Sequence, residues 1–197
     1  MIAPVVDLLL VRHADSVAPT PDGPDEYRRP LTEKGCEQAL DLVSALGHHG
    51  RASRLLSSPC LRAIQTLEPT ARVVGLPICR RDELREWRSG LAPTRDWQAH
   101  YERSWAQPGT VIGTGESLAE LTTRAGNTVR ALVGSAAPAT TILAATHGTW
   151  ISRALLALGL PIDCAFWLSM PMPAIYTLSF DGPDLRRAFG PGLESGQ

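Results

Sequence analysis

Arg12-His13 and His147-Gly148 lie at opposite ends of a 197-residue chain, and each pair follows an apolar run. Imidazole changes protonation near neutral pH and can act as nucleophile, acid or base. Guanidinium meets the oxygens of an anion with a rigid fork of donors. Val5-Val6-Asp7-Leu8-Leu9-Leu10-Val11 precedes the first pair, and Thr141-Ile142-Leu143-Ala144-Ala145-Thr146 precedes the second. Such runs read as buried strands that open onto loops. Ligands of open parallel sheets bind beyond the carboxyl ends of the strands, so both histidines belong at a functional rim. Arg62 follows Ser58-Pro59, a helix start with a serine cap and a first-turn proline, where free amides and a positive dipole end also favour anions. Each residue alone reads equally as a loop histidine or an ion-pair arginine. Two arginines and two histidines together suit a dianion such as a phosphoryl group.

The elements that must position them alternate in type. Arg54–Ser57, Leu76–Arg80 and Ala174–Phe180 read as further strands, the last of these closing the series. Thr32 caps a helix whose apolar face is Ala39, Leu42, Val43 and Leu46. The helix after Ser58-Pro59 buries Leu61, Ile64, Leu67 and Ala71, and Pro69 is expected to kink or shorten it. Further helices are expected over Leu118–Val133 and Trp150–Leu158. The polar, proline-rich stretch Asp15–Pro30 is a loop. Arg88–Gly115, with Trp97, Tyr101 and Trp105 among polar residues, reads as a surface excursion or as a lid over a substrate. This alternation predicts an α/β fold, a three-layer sandwich with a mostly parallel central sheet and helices on both faces. Residues 1–190 are expected to form one domain and 191–197 a frayed tail.

A net charge of -1 argues against a nucleic-acid or acidic-membrane surface. No apolar run approaches the ~18 residues of a membrane span. Met1–Val11 has no basic start and carries Pro4 and Asp7, unlike a signal peptide, so a cytoplasmic protein is expected. Cys36, Cys60, Cys79 and Cys164 are scattered without a Cys-x-x-Cys pair, which points to small buried or half-buried thiols rather than zinc or disulfides. His48-His49 before Gly50 reads as a pair of helix-end cations rather than metal ligands. His100, Asp163 and Cys164 carry no motif.

Leu10-Val11-Arg12-His13-Ala14-Asp15 resembles the signature of the histidine phosphatase superfamily, also called phosphoglycerate mutase-like, where Arg-His-Gly is commonest. Pro30-Leu31-Thr32-Glu33-Lys34-Gly35-Cys36-Glu37-Gln38-Ala39 is similar to that family's next segment. Ser57-Ser58-Pro59-Cys60-Leu61-Arg62-Ala63-Ile64-Gln65-Thr66, Leu84-Arg85-Glu86, Gly115-Glu116-Ser117 and Thr146-His147-Gly148 continue it in order, up to about Phe180. The resemblance implies a phosphohistidine formed on His13, with Arg12, Arg62 and His147 binding the phosphoryl oxygens. It puts the proton donor at Glu86, with Glu83 as the substitute and Asp15 a weaker third. The run Arg80-Arg81-Asp82-Glu83-Leu84-Arg85-Glu86 also reads as a plain charged surface. Ser16, Gly148 and Glu83 are further candidates for contact with substrate. No metal or other cofactor is implied; the partner is a small phosphorylated substrate.

Two departures matter. Ala14 stands where glycine is usual, adding a methyl beside the site and disfavouring positive φ. Ser16-Val17-Ala18-Pro19 lacks the asparagine usual in the family's mutases, and no basic cluster follows Glu86. The reading is therefore a phosphomonoester hydrolase. Its rivals are a phosphoglycerate-type mutase, which hands the phosphoryl group to a second hydroxyl, and a regulatory module that binds phosphate without turnover.

Overall fold

The computed structural model describes residues 5–47 and 52–193. The His48-His49 pair and the last residues of the tail, 194–197, lie outside them. In chain order the elements are β1 (Val6–Arg12), α1 (Glu33–Gly47), β2 (Ala52–Ser57), α2 (Leu61–Val74), β3 (Ile78–Arg80), α3 (Trp97–Ala106), α4 (Leu118–Gly134), β4 (Thr141–Thr146), α5 (Gly148–Ala157), α6 (Cys164–Ser169), β5 (Ala174–Asp181) and β6 (Asp184–Phe189). The strands form one sheet in the order β3-β2-β4-β1-β5-β6. β3, β2, β4 and β1 run parallel, whereas β5 is antiparallel to both its neighbours.

Side chains alternate across a strand, so an apolar run must bury both faces of the sheet. Leu8, Leu10, Leu56, Ile142 and Ala144 face one layer, where they meet Leu121, Ala125 and Val129 of α4 and Trp150, Ile151 and Leu155 of α5. Leu9, Val11, Leu55, Leu143 and Ala145 face the other, against Leu42 and Leu46 of α1 and Ala63 and Leu67 of α2. Burying one such leucine contributes about 1.5–3 kcal/mol relative to leaving it in water. The central strands are thereby clamped from both sides.

Register then sets the site. β1 pairs with β4 so that Arg12 lies opposite Thr146. His13 continues the ladder by donating its amide to the Thr146 carbonyl at 3.0 Å. The amide of Ser58 likewise donates to the carbonyl of Ala145 at 2.9 Å, one step beyond β2. His13, Ser58 and His147 leave the same end of three adjacent strands.

Several boundaries differ from the sequence reading. α2 begins at Leu61 with Cys60 at its cap position and no side-chain cap. Ser58 instead accepts the Cys60 amide at 3.2 Å in the turn before the helix. The helix runs past Pro69 to Val74 and stops at Gly75, whose φ of 72° suits the left-handed end of a helix. β6 adds a strand beyond β5. Asp184, Arg186 and Arg187 break up its apolar residues so that they do not alternate along it, as suits a charged edge. α6 is a further element that the sequence pattern does not show; Asp163 caps it, its Oδ1 accepting the amide of Phe166 at 2.8 Å. Beyond Gly190, Pro191 accepts a hydrogen bond from the Tyr176 hydroxyl at 3.1 Å and Leu193 packs on the core, so residues 191–193 are tied down. Cys36 and Cys79 are exposed rather than buried.

The stretch 88–115 is organised by aromatic stacking. Tyr101 stacks on Trp167 of α6 with centroids 5.1 Å apart. Trp87 and Trp97 meet Tyr101 edge-on at 4.9 and 5.6 Å. α3 is thus bound to α6 through rings rather than through a polar surface contact.

Candidate active site

The strand ends and the first turn of α2 bring His13, Arg62 and His147 together. His13 is 7% exposed and Arg62 and His147 are 1% or less. The two imidazole rings sit 5.2 Å apart between centroids. Nδ1 of His13 lies 2.8 Å from the Ala14 carbonyl, which accepts only from an N–H. The proton therefore sits on Nδ1 and leaves the Nε2 lone pair for other work. Nε of Arg62 donates to that Nε2 at 3.1 Å.

Arg62 also reaches the second ring. Its Nη2 donates to Nδ1 of His147 at 3.1 Å. Nε2 of His147 then carries the proton and donates to the Ser58 hydroxyl at 2.7 Å. Arg62 is held in turn by the carbonyl of Glu26 at 2.8 Å and by the Glu26 carboxylate. The Thr66 hydroxyl ties this helix start to the histidine loop: it accepts the Ala14 amide at 3.0 Å and donates to the Arg62 carbonyl at 2.7 Å. Burial, and then the Arg62 charge, hold both imidazoles well below the ordinary histidine value, so both are neutral.

Arg12 projects from the end of β1. One of its amino groups donates to the carbonyls of Met170 and Pro171, just beyond α6. Its Nε is buried without a hydrogen-bond partner among the described residues. Gly148 is the reason the guanidinium fits: a Cβ built there would lie 3.1 Å from both Cζ and Nε of Arg12.

Glu86 completes the group. Its Oε1 accepts the amides of Trp87 at 2.8 Å and Trp150 at 3.3 Å, the latter in the first turn of α5. Burial raises its carboxyl above the ordinary value; the Trp87 hydrogen bond and Arg62 oppose that without cancelling it. The carboxyl is poised to be an acid.

The other candidates are placed differently. Glu83 is exposed, and its backbone carbonyl accepts from the Trp150 indole and from Arg124, so it serves as a strut for the chain leading to Glu86. Asp15 anchors the start of α1: its Oδ2 accepts the Thr32 hydroxyl at 2.6 Å, and Thr32 caps the Gly35 amide at 3.0 Å. Ser16 is half-buried, bridges to Leu31 and lies 3.5 Å from Arg29. The Ala14 methyl points into a small apolar cluster with Leu31 and Ala39, and Ala139 alone among described non-glycine residues has positive φ. Neither concern about that alanine survives.

Sequence reasoning overlooked Ser58 as a histidine partner and overlooked Glu26 and Arg29 entirely. Ser58 reads locally as a helix cap, and no local pattern signals its bond to His147. Glu26 and Arg29 lie in a loop without periodicity, where no spacing signals a contact with Arg62. Among the described residues, no group of three or more His, Cys, Asp or Glu side chains is placed to hold a metal ion. No helix of the described residues is long and apolar enough to cross a membrane.

The fold recurs in solved phosphatases. The native mycobacterial glucosyl-3-phosphoglycerate phosphatase superposes with a TM-score of 0.70 at 23% identity, covering 98% of this chain and 100% of that one. A mutant phosphoserine phosphatase from Entamoeba histolytica, in complex with phosphoserine, gives 0.68 at 18% identity, covering 93% and 96%. No curated protein sequence matches the chain. The family model described as histidine phosphatase superfamily (branch 1) matches residues 8–187, and the chain belongs to that superfamily.

Proposed function

We propose that this chain is a cytoplasmic phosphomonoester hydrolase that works on a small phosphorylated substrate through a phosphohistidine on His13. The observation that carries the reading is the state of the His13 ring. It is neutral, its Nδ1 proton is committed to the Ala14 carbonyl, and its Nε2 faces the Arg62 guanidinium.

In the first step the Nε2 lone pair attacks phosphorus and the ester P–O bond breaks. Glu86 gives its proton to the departing alkoxide oxygen. Arg62 turns its Nε–H from the ring to a phosphoryl oxygen, and Arg12 offers the Nε–H that has no partner among the described residues. Charge moving across the phosphoryl oxygens is held by these fixed donors, which is where catalysis of this kind draws most of its rate. A dianion beside His147 favours proton uptake at its Nδ1, which makes that ring a donor as well. In the second step water attacks phosphorus, the P–N bond breaks, and the Glu86 carboxylate takes a proton from the water. His13 and the acid are restored and inorganic phosphate leaves.

The test is a panel of phosphate esters assayed with wild-type and His13→Ala protein in the presence of a chelator. Hydrolysis that survives chelation and vanishes in the variant is the expected result. Equal rates in the two proteins would remove His13 from the nucleophile's role.

A further inference from the structure

Glu26 brings a carboxylate to the arginine that holds both imidazoles. One oxygen pairs with Nη2 of Arg62. The other accepts from Nη2 and Nε of Arg29 at 2.9 and 3.1 Å. The Arg62 side chain is 1% exposed, whereas that of Glu26 is 46% exposed. The arginine is buried and the carboxylate has water on its outer side.

The backbone beneath Glu26 is pinned. Asp25 Oδ1 accepts the amides of Tyr27 and Arg28 at 2.9 and 3.0 Å, and the Tyr27 carbonyl accepts the Leu61 amide at 2.8 Å. The Glu26 carbonyl itself takes Nη1 of Arg62. A rotamer change at Glu26 therefore frees the Nη2–H of Arg62 that faces it while the loop stays in place. Arg29 gives the displaced carboxylate a partner to keep.

We propose that Glu26 is an internal competitor for the phosphoryl group. Its carboxylate satisfies Arg62 between turnovers, yields to the more highly charged phosphoryl group when substrate arrives, and reclaims Arg62 as inorganic phosphate departs. Like charge sets the two anions against each other across the one guanidinium, the phosphoryl oxygen at Nε and the carboxylate at Nη2. The device weakens product retention at the cost of some substrate affinity. This inference rests on the reading of Arg62 as a phosphoryl ligand. The opposite role is a buttress that merely holds Arg62 in position, and the two roles predict opposite signs.

Isothermal titration of inorganic phosphate into wild-type, Glu26→Gln and Glu26→Ala protein decides between them, with steady-state kinetics on p-nitrophenyl phosphate alongside. An internal competitor gives both variants tighter phosphate binding, by roughly ten-fold on the scale of one charged hydrogen bond, with a lower KM and no gain in kcat. Phosphate affinity equal to or weaker than wild type in the variants overturns the proposal while leaving the hydrolase reading intact. Absence of phosphate binding to the wild type, together with full activity in Arg62→Ala, overturns both.

Discussion

The rings of His13 and His147 meet at 64° with centroids 5.2 Å apart, so a charge placed on one is felt by the other. Both are held well below 6.5 by burial, with the arginine charges acting in the same direction. A folded value below the unfolded one means that the folded state binds fewer protons. The histidine contribution to stability is therefore complete above about pH 6.5 and is lost as pH falls from there through the lowered folded values. Urea midpoints measured from pH 8 downward should hold steady and then decline below that point.

Activity follows the same groups. The acid limb of kcat/KM set by His13 should lie below pH 6.5, because Nε2 must be unprotonated to attack. The alkaline limb should belong to Glu86, whose value burial raises above 4.5. Glu86→Gln should lower the rate by roughly 10²–10⁴ and abolish that limb. Ionisation of the substrate is common to both proteins, so the difference between their profiles isolates the residue. Identical profile shapes would remove Glu86 as the acid.

Arg62→Ala should lose about 10³-fold in kcat, as expected when a guanidinium that stabilises a transferring phosphoryl group is deleted. The fold should persist, because the anion left behind, Glu26, is open to solvent. Circular dichroism and single-turnover rates together check this. A folded and fully active variant would contradict the clamp.

Ala14→Gly restores the residue usual at this position in the family, yet it should be destabilising by about 1–2 kcal/mol. One methyl leaves the cluster with Leu31 and Ala39, at ~0.8 kcal/mol, and glycine adds its unfolded-chain entropy, at ~0.5–1 kcal/mol. Turnover should not change. Chemical denaturation and kinetics on the same preparation test both halves.

Gly148→Ala adds a methyl 3.1 Å from Cζ and Nε of Arg12. The guanidinium must shift by a few tenths of an ångström, and kcat should fall by roughly 10–10²-fold if misplacement of a donor governs the rate. Stability should change little. A variant as fast as wild type would show that Arg12 does not act from this position.

The parallel strands and their helices were readable because burial on both faces leaves continuous apolar runs such as Leu8-Leu9-Leu10-Val11. The positions of His13 and His147 were readable because both sit immediately beyond such runs. β6 was not, since three charged residues among its six leave no apolar alternation to reveal it. α6 is too short to display a helical period. Glu26 illustrates a different limit: its contact with Arg62 arises from the fold of a loop, which no local pattern encodes. The Ser58-Pro59 pair was read by local capping rules, and the partner that took Ser58 came from a distant strand.

β1 and β4 are separated along the chain by α1, β2, α2, β3, α3 and α4, yet zip together at the middle of the sheet. A chain still emerging from the ribosome carries one imidazole without the other until the second of these strands has been made and docked. The two rings can meet only once β4 has docked between β1 and β2, so fragments split between β2 and β4 should be inert apart and recover function only on reassembly.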